Sequence, residues 1–180
     1  MTSSLFIETE FIIFMKTLGI DPGTAIMGWG IVEETGGVLS LVDYGALTTP
    51  AGMPQPQRLA MLYAALQGLL REHQPEAAAV EELFFSRNVT TALAVGQARG
   101  VALLALAQAG VPIHEYKPMA VKQAVAGYGG ADKKQMQEMV RLTLRLQRIP
   151  KPDDAADALA IAICHAYTAP MLQRIADSGG

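Results

Sequence analysis

Two adjacent glycines, Gly36 and Gly37, separate the apolar runs MGWGIVEE (27–34) and VLSLVDYGAL (38–47), and they commit this part of the chain to an antiparallel hairpin. A two-residue turn needs positive φ at its centre, which glycine adopts at no steric cost. A short buried strand over residues 16–20 precedes the hairpin. After the loop PAGMPQPQ, Leu59, Leu62, Leu66, Leu69 and Leu70 fall at helical spacing and predict a helix over 57–73. A strand over Ala77–Leu83, an alanine-rich helix over 89–109 and a strand over 111–116 follow. Helices are expected at 118–126, 132–147 and 154–167, the first two separated by GYGG at 127–130. Three antiparallel strands continued by parallel strand–helix units predict an α/β fold, a five-stranded mixed sheet flanked by helices.

Four carboxylates stand at the edges of these buried elements: Asp21 in LGIDPGT, Glu81 in AAAVEELFF, and Asp154 and Asp157 in PDDAADALA. An unpaired carboxylate is costly there. Asp21 ends the first strand, Glu81 lies near the end of the fourth, and Asp154 and Asp157 are three apart on one helical face. Brought together, they repel one another unless a divalent cation holds them ionised. Oxygen-only ligands favour Mg2+ or Mn2+, and two such ions are the usual apparatus for cleaving a phosphodiester in line. Competing readings are ordinary. Asp153 and Asp154 suit a helix cap, and Asp21 before Pro22-Gly23 suits a turn. GIDPGT also resembles the phosphate loop of actin-like ATPases and sugar kinases, but 180 residues are too few for their two domains.

One domain is expected over residues 15–168, with 1–14 an extension of doubtful nativeness and 169–180 a short flexible tail. Residues 1–14 lack the basic start of a signal peptide, and no apolar run is expected to span a bilayer. The lone cysteine, Cys164, lies in the apolar ALAIAICHAY, which fits a buried thiol in a reducing, cytoplasmic setting. Net charge is −3, yet residues 116–151 hold eight basic side chains against Asp132 and Glu138. Such a basic face on an acidic body suits a polyanion, or is simply solvated. Small residues (Gly96 and Gly100; Ala94, Ala98 and Ala102) line faces of the 89–109 helix and suit internal packing or a dimer contact. His73, His114 and His165 share no metal-ligand spacing, Trp29 reads as core, and Arg141, Arg145 and Arg148 line one helical face.

GIDPGTAIMGWGIVE, AVEELFFSRNVTTALAVGQARGVAL, EYKPMAVKQAVAGYGGADKKQMQEMV and DDAADALAIAICHA resemble, in order and spacing, the RuvC-type Holliday junction resolvases over residues 16–168. The resemblance implies a ribonuclease H-like fold and a homodimer that nicks a four-way DNA junction symmetrically with Mg2+ or Mn2+. It also implies cooperation with a branch-migration motor of the RuvA-RuvB type. It assigns the catalytic acids to Asp21, Glu81, Asp154 and Asp157, and functional lysines to Lys122 and Lys133. Phe84 corresponds to an aromatic that acts near the junction core, and Arg87, Asn88 and Lys134 are further candidates for DNA contact. Two alternatives stand beside it: a ribonuclease H-like nuclease with another substrate, and a junction-binding module without catalysis.

Overall fold

The computed structural model describes residues 14–82 and 89–178. The sheet contains β1 (Phe14–Asp21), β2 (Ile26–Thr35), β3 (Val38–Thr48), β4 (Ala77–Glu81) and β5 (Ile113–Tyr116), in the spatial order β3-β2-β1-β4-β5. β1, β2 and β3 are antiparallel neighbours, while β4 runs parallel to β1 and β5 parallel to β4. The sheet is thus five-stranded and mixed, three antiparallel strands continued by two parallel ones, as expected. Gly36 (φ 58°) and Gly37 (φ 84°) make the expected hairpin turn.

Strand alternation divides the sheet into two faces. Leu18, Ile20, Met27, Ile31, Ala78 and Val80 point to one side. There they pack under α1 (Gln55–His73) and α2 (Val89–Gln108), through Leu62, Leu66, Ala98, Ala102 and Leu106. Trp29 joins this layer, tilted against His73 and packed over Gly45. The opposite face receives α5 (Asp153–Ser178), whose residues Ala155–Ala166 are almost all buried. A helix that is apolar all round lies inside the fold. α3 (Pro118–Ala126) and α4 (Lys133–Thr143) cover its outer side.

Contact between α5 and the sheet is unusually direct. A Cβ placed on Gly19 would overlap the Ala158 carbonyl oxygen, and one on Gly28 would overlap that of Asp154. A Cβ on Gly30 would come within 2.6 Å of the Leu159 side chain. Glycine at these three positions lets the helix backbone rest on the strands themselves.

Several expectations are corrected. α4 ends at Thr143, because Arg145 turns left-handed (φ 53°) and Leu146 N–H closes back on the Arg141 carbonyl. Arg145 and Arg148 thus leave the helix, and Arg141 is tied to Glu138 and the Leu146 carbonyl, so these three arginines do not line one helical face. The last helix runs to Ser178, through the segment expected as a tail, with Pro170 inside it. Thr90–Gln108 is long and apolar enough, by length and composition, to cross a membrane (mean hydropathy 1.3). Its alanines Ala98, Ala102 and Ala105 are nevertheless part of the core. His114 and His165, which share no metal-ligand spacing in sequence, meet in space: their rings stack at 4.2 Å, and Tyr116 Oη bonds His165 Nδ1 at 2.8 Å. Burial, then His114, depresses the His165 pKa to about 4, so the ring is neutral. Cys164 is fully buried with its thiol pushed up to about 11, an unreactive group.

Candidate active site

The register that sorts the core also sorts the acids. Asp21 shares its face of β1 with Gly19, and Glu81 shares its face of β4 with Ala79; both point toward α5. The two residues lie one step beyond Ile20 and Val80, the last paired positions of adjacent parallel strands. Asp21 also pairs across β2 with Gly28, the position on which the Asp154 carbonyl rests. A glycine contact thus brings the first turn of α5 beside the end of β1.

Asp21, Glu81 and Asp157 line one cavity of about 230 Å³ together with Lys122, Lys133, Pro118, Val121 and Met136. Asp154 is not on the cavity wall, but its charge reaches both Asp21 and Asp157. The structure therefore gathers the four acids and the two lysines singled out by sequence. Lys134 is placed elsewhere, on a neighbouring hollow with Tyr128, Gln135 and Glu138. Phe84, Arg87 and Asn88 lie outside the described residues. A larger cavity of about 420 Å³ between the C-terminal ends of α1 and α2 has no carboxylate or histidine in its wall.

Two lysines partly balance the acids. Lys133 Nζ lies 3.1 Å from Asp157 Oδ2 and 3.6 Å from Asp153 Oδ2, while Lys151 holds the other Asp153 oxygen at 2.5 Å. Lys133 is aimed by a capping box: Asp132 accepts from Gln135 N–H, and the Gln135 side chain accepts from Asp132 N–H. Asp153 is thus the first residue of α5, engaged by two lysines.

The balance is incomplete. Burial first, then Asp157, Glu81 and Asp154, raise the Asp21 pKa to about 7 against the opposing pull of Lys133. Burial and Asp157 raise Glu81, with Lys122 opposing. Asp157 is raised by burial and lowered by Lys133. Among the described residues, no three such groups are drawn together tightly enough to grip an ion as they stand. In donor chemistry the set still fits a hard divalent cation: every acid offers oxygen, and Asp21 carries the penalty of uncompensated charge.

An acid cluster at the ends of adjacent strands, under a helix that lies on glycines, places the protein among the ribonuclease H-like nucleases. The sequence profile described as crossover junction endodeoxyribonuclease RuvC matches residues 17–165. The crossover junction endodeoxyribonuclease RuvC of Chloroflexus aggregans is 77% identical over 160 residues, covering 89% of this chain and 98% of its own. A Thermus thermophilus RuvC structure superposes with a TM-score of 0.80 at 42% identity, covering 87% of this chain and 96% of that one. The same protein in complex with a Holliday junction substrate gives 0.83 with the same coverage. The chain belongs to the RuvC family of crossover junction endodeoxyribonucleases. It is accordingly a nuclease that depends on divalent metal.

Sequence reasoning missed Gly19, Gly28 and Gly30, although Gly28 and Gly30, two apart on one strand, are a legible sign of a close approach. It also missed the capping box, whose D-x-x-Q pattern is printed in ADKKQ.

Proposed function

We propose that the protein resolves four-way DNA junctions in recombination and repair by paired, metal-dependent phosphodiester hydrolysis. The observation that carries this is the cavity in which Asp21, Glu81 and Asp157 meet Lys122 and Lys133. Asp21, Glu81, Asp154 and Asp157 are the residues that would hold divalent ions, two Mg2+ per site with Mn2+ as substitute. Bound there, such ions neutralise phosphate charge and make water a stronger nucleophile. A carboxylate of the cluster takes the proton of the attacking water. The new P–O bond forms in line as the bond to the 3′ oxygen breaks, leaving a 5′-phosphate and a 3′-hydroxyl. Lys122 and Lys133 sit on the wall where negative charge grows in the transition state.

Symmetric nicking needs two sites related by a two-fold axis, so the working unit is a homodimer. Leu93 (64% exposed) and Leu104 (51%), with open Gly100 between them, give α2 an apolar outer face for a second copy. Lys134, beside Tyr128, and Phe84, Arg87 and Asn88 in the segment between β4 and α2 are the further DNA contacts. A branch-migration motor of the RuvA-RuvB type supplies the junction, in the cytoplasm. The test is nicking of a labelled four-way junction beside a linear duplex of the same sequence, with Mg2+, Mn2+ or EDTA. Paired symmetric nicks on the junction alone, lost in EDTA, are expected. Equal cutting of both substrates defeats the junction reading, and metal-independent cutting defeats the site.

A further inference from the structure

Glu81 ends its strand, and the peptide group that follows it is held at both ends. Its N–H, that of Glu82, donates to the Tyr116 carbonyl of β5 at 2.8 Å. Its carbonyl accepts from Arg99 Nε of α2 at 3.2 Å. The terminal guanidinium nitrogen of Arg99 then pairs with the Glu115 carboxylate, one residue before Tyr116. The links close a ring: Glu81, Arg99, Glu115, Tyr116, Glu82. A peptide group is planar, so fixing both its ends fixes ψ at Glu81. The β1 ladder stops at the Ile20–Val80 pair and offers this carbonyl no strand partner.

We propose that Arg99 is a positioning residue for Glu81, aiming its carboxylate into the acid cavity from behind the sheet. It does not touch the reacting atoms. α2 packs on the face opposite α5, and Glu115, paired in register with Val80, shares that face. The Arg99 side chain is only 16% exposed, and a charge so placed requires its partners. Its fork supplies two donors at a fixed angle, one for the carbonyl and one for the carboxylate; a lysine ammonium has no such fork. Arg99 also connects the aim of Glu81 to the helix that follows residues 83–88.

The inference rests on the proposed role of Glu81, and the experiment separates the two. Arg99→Lys keeps the charge and the Glu115 pair but loses the fork. Single-turnover junction cleavage at saturating metal is expected to fall about 10–100-fold, the usual penalty for a misplaced reacting group. Junction binding in EDTA should stay within about twofold. Amide exchange at Glu82 should quicken while Ala78 and Val80 stay protected. Glu115→Gln, a milder change, should show the same pattern at about 3–10-fold. Wild-type cleavage with unchanged Glu82 exchange overturns the proposal. So does a cleavage loss that tracks loss of melting temperature or junction binding. If the wild-type enzyme itself does not cut, the reading of function fails, while exchange at Glu82 still decides whether the tether exists.

Discussion

On one face of the sheet Leu18, Ile20, Met27 and Ile31 stand between the strands and helices α1 and α2. On the other, Val32 and Ala79 also bury side chains, but at Gly19 and Gly28 the strand backbone meets the α5 backbone directly and at Gly30 it meets Leu159. The first face is a conventional core, stabilised by area: each fully buried leucine or isoleucine contributes about 1.5–3 kcal/mol. The second is also an apolar core, closed by α3, α4 and α5, and gives up side-chain area for position at these three glycines alone. A layer of large side chains would hold the α5 backbone farther from β1 and β2, and Asp154 and Asp157 farther from Asp21. Both sides of the sheet bury apolar area, and the second in addition brings the four acids together.

The largest effect that sharpens this contrast is at the charge itself. Asp21→Asn should lower junction cleavage by about 10³-fold or more, since one of the carboxylates proposed to hold the metal is lost. Junction binding without metal should stay within a few-fold. The same variant is expected to be more stable than wild type at pH 8 without metal, because it removes a charge the fold disfavours. Cleavage kinetics and thermal melting on one preparation check both halves; a variant that cuts normally breaks the site assignment.

Next comes a direct exchange between the two faces. Gly28→Ala forces its Cβ onto the Asp154 carbonyl, so the start of α5 must lift. Overpacking of this kind costs about 1–3 kcal/mol, and displacement of the acids should slow cleavage about 10–100-fold. Leu66→Ala, on the conventional face, should cost more in stability, about 2–5 kcal/mol, and leave cleavage by the folded enzyme near wild type. The contrast fails if Leu66→Ala slows chemistry as much as Gly28→Ala does.

Without metal, pH should act mainly through the acid face. The Asp21 pKa is raised from 3.8 to about 7 by burial first and by its acidic neighbours next. Between these values the unfolded chain has lost the proton that the folded chain keeps. The unfolded state then binds fewer protons, and stability falls as pH rises from about 4 to about 7 and levels off above. The size is on the order of a few kcal/mol. Asp21→Asn should flatten that slope in urea titrations, and Mg2+ should offset it at pH 8. A slope unchanged in the variant assigns the pH dependence to other groups.

What could be read beforehand follows the same division. Asp21, Glu81 and Asp157 were legible because strand alternation and helical spacing are local rules, and an acid at the end of an apolar run violates a local expectation. Arg99 was not, since its partners are a backbone carbonyl eighteen residues back and a carboxylate on another strand. The stacking of His114 on His165 likewise needs the register of β5 against α5. Helix ends went astray for local reasons of their own. Arg145 turns left-handed where its neighbours still keep helical spacing, and Pro170 stands in a helix that continues past it.

The smallest predicted effect lies between stability and position. Asp132→Ala removes the side-chain half of the capping box at the start of α4 and leaves only the backbone N–H to the Gln135 side chain, a change worth about 0.5–2 kcal/mol. An alanine at a merely structural cap lowers melting temperature and nothing else. Here the next residue is Lys133, whose ammonium holds Asp157 at 3.1 Å across the cavity. A frayed first turn lets that ammonium swing away, so cleavage should drop several-fold, about as expected when one charge-assisted hydrogen bond is loosened. Asp132→Asn, which can still accept from Gln135 N–H, should restore both properties together. Restored stability with cleavage still low would instead mean that the Asp132 carboxylate contributes its own charge to the site.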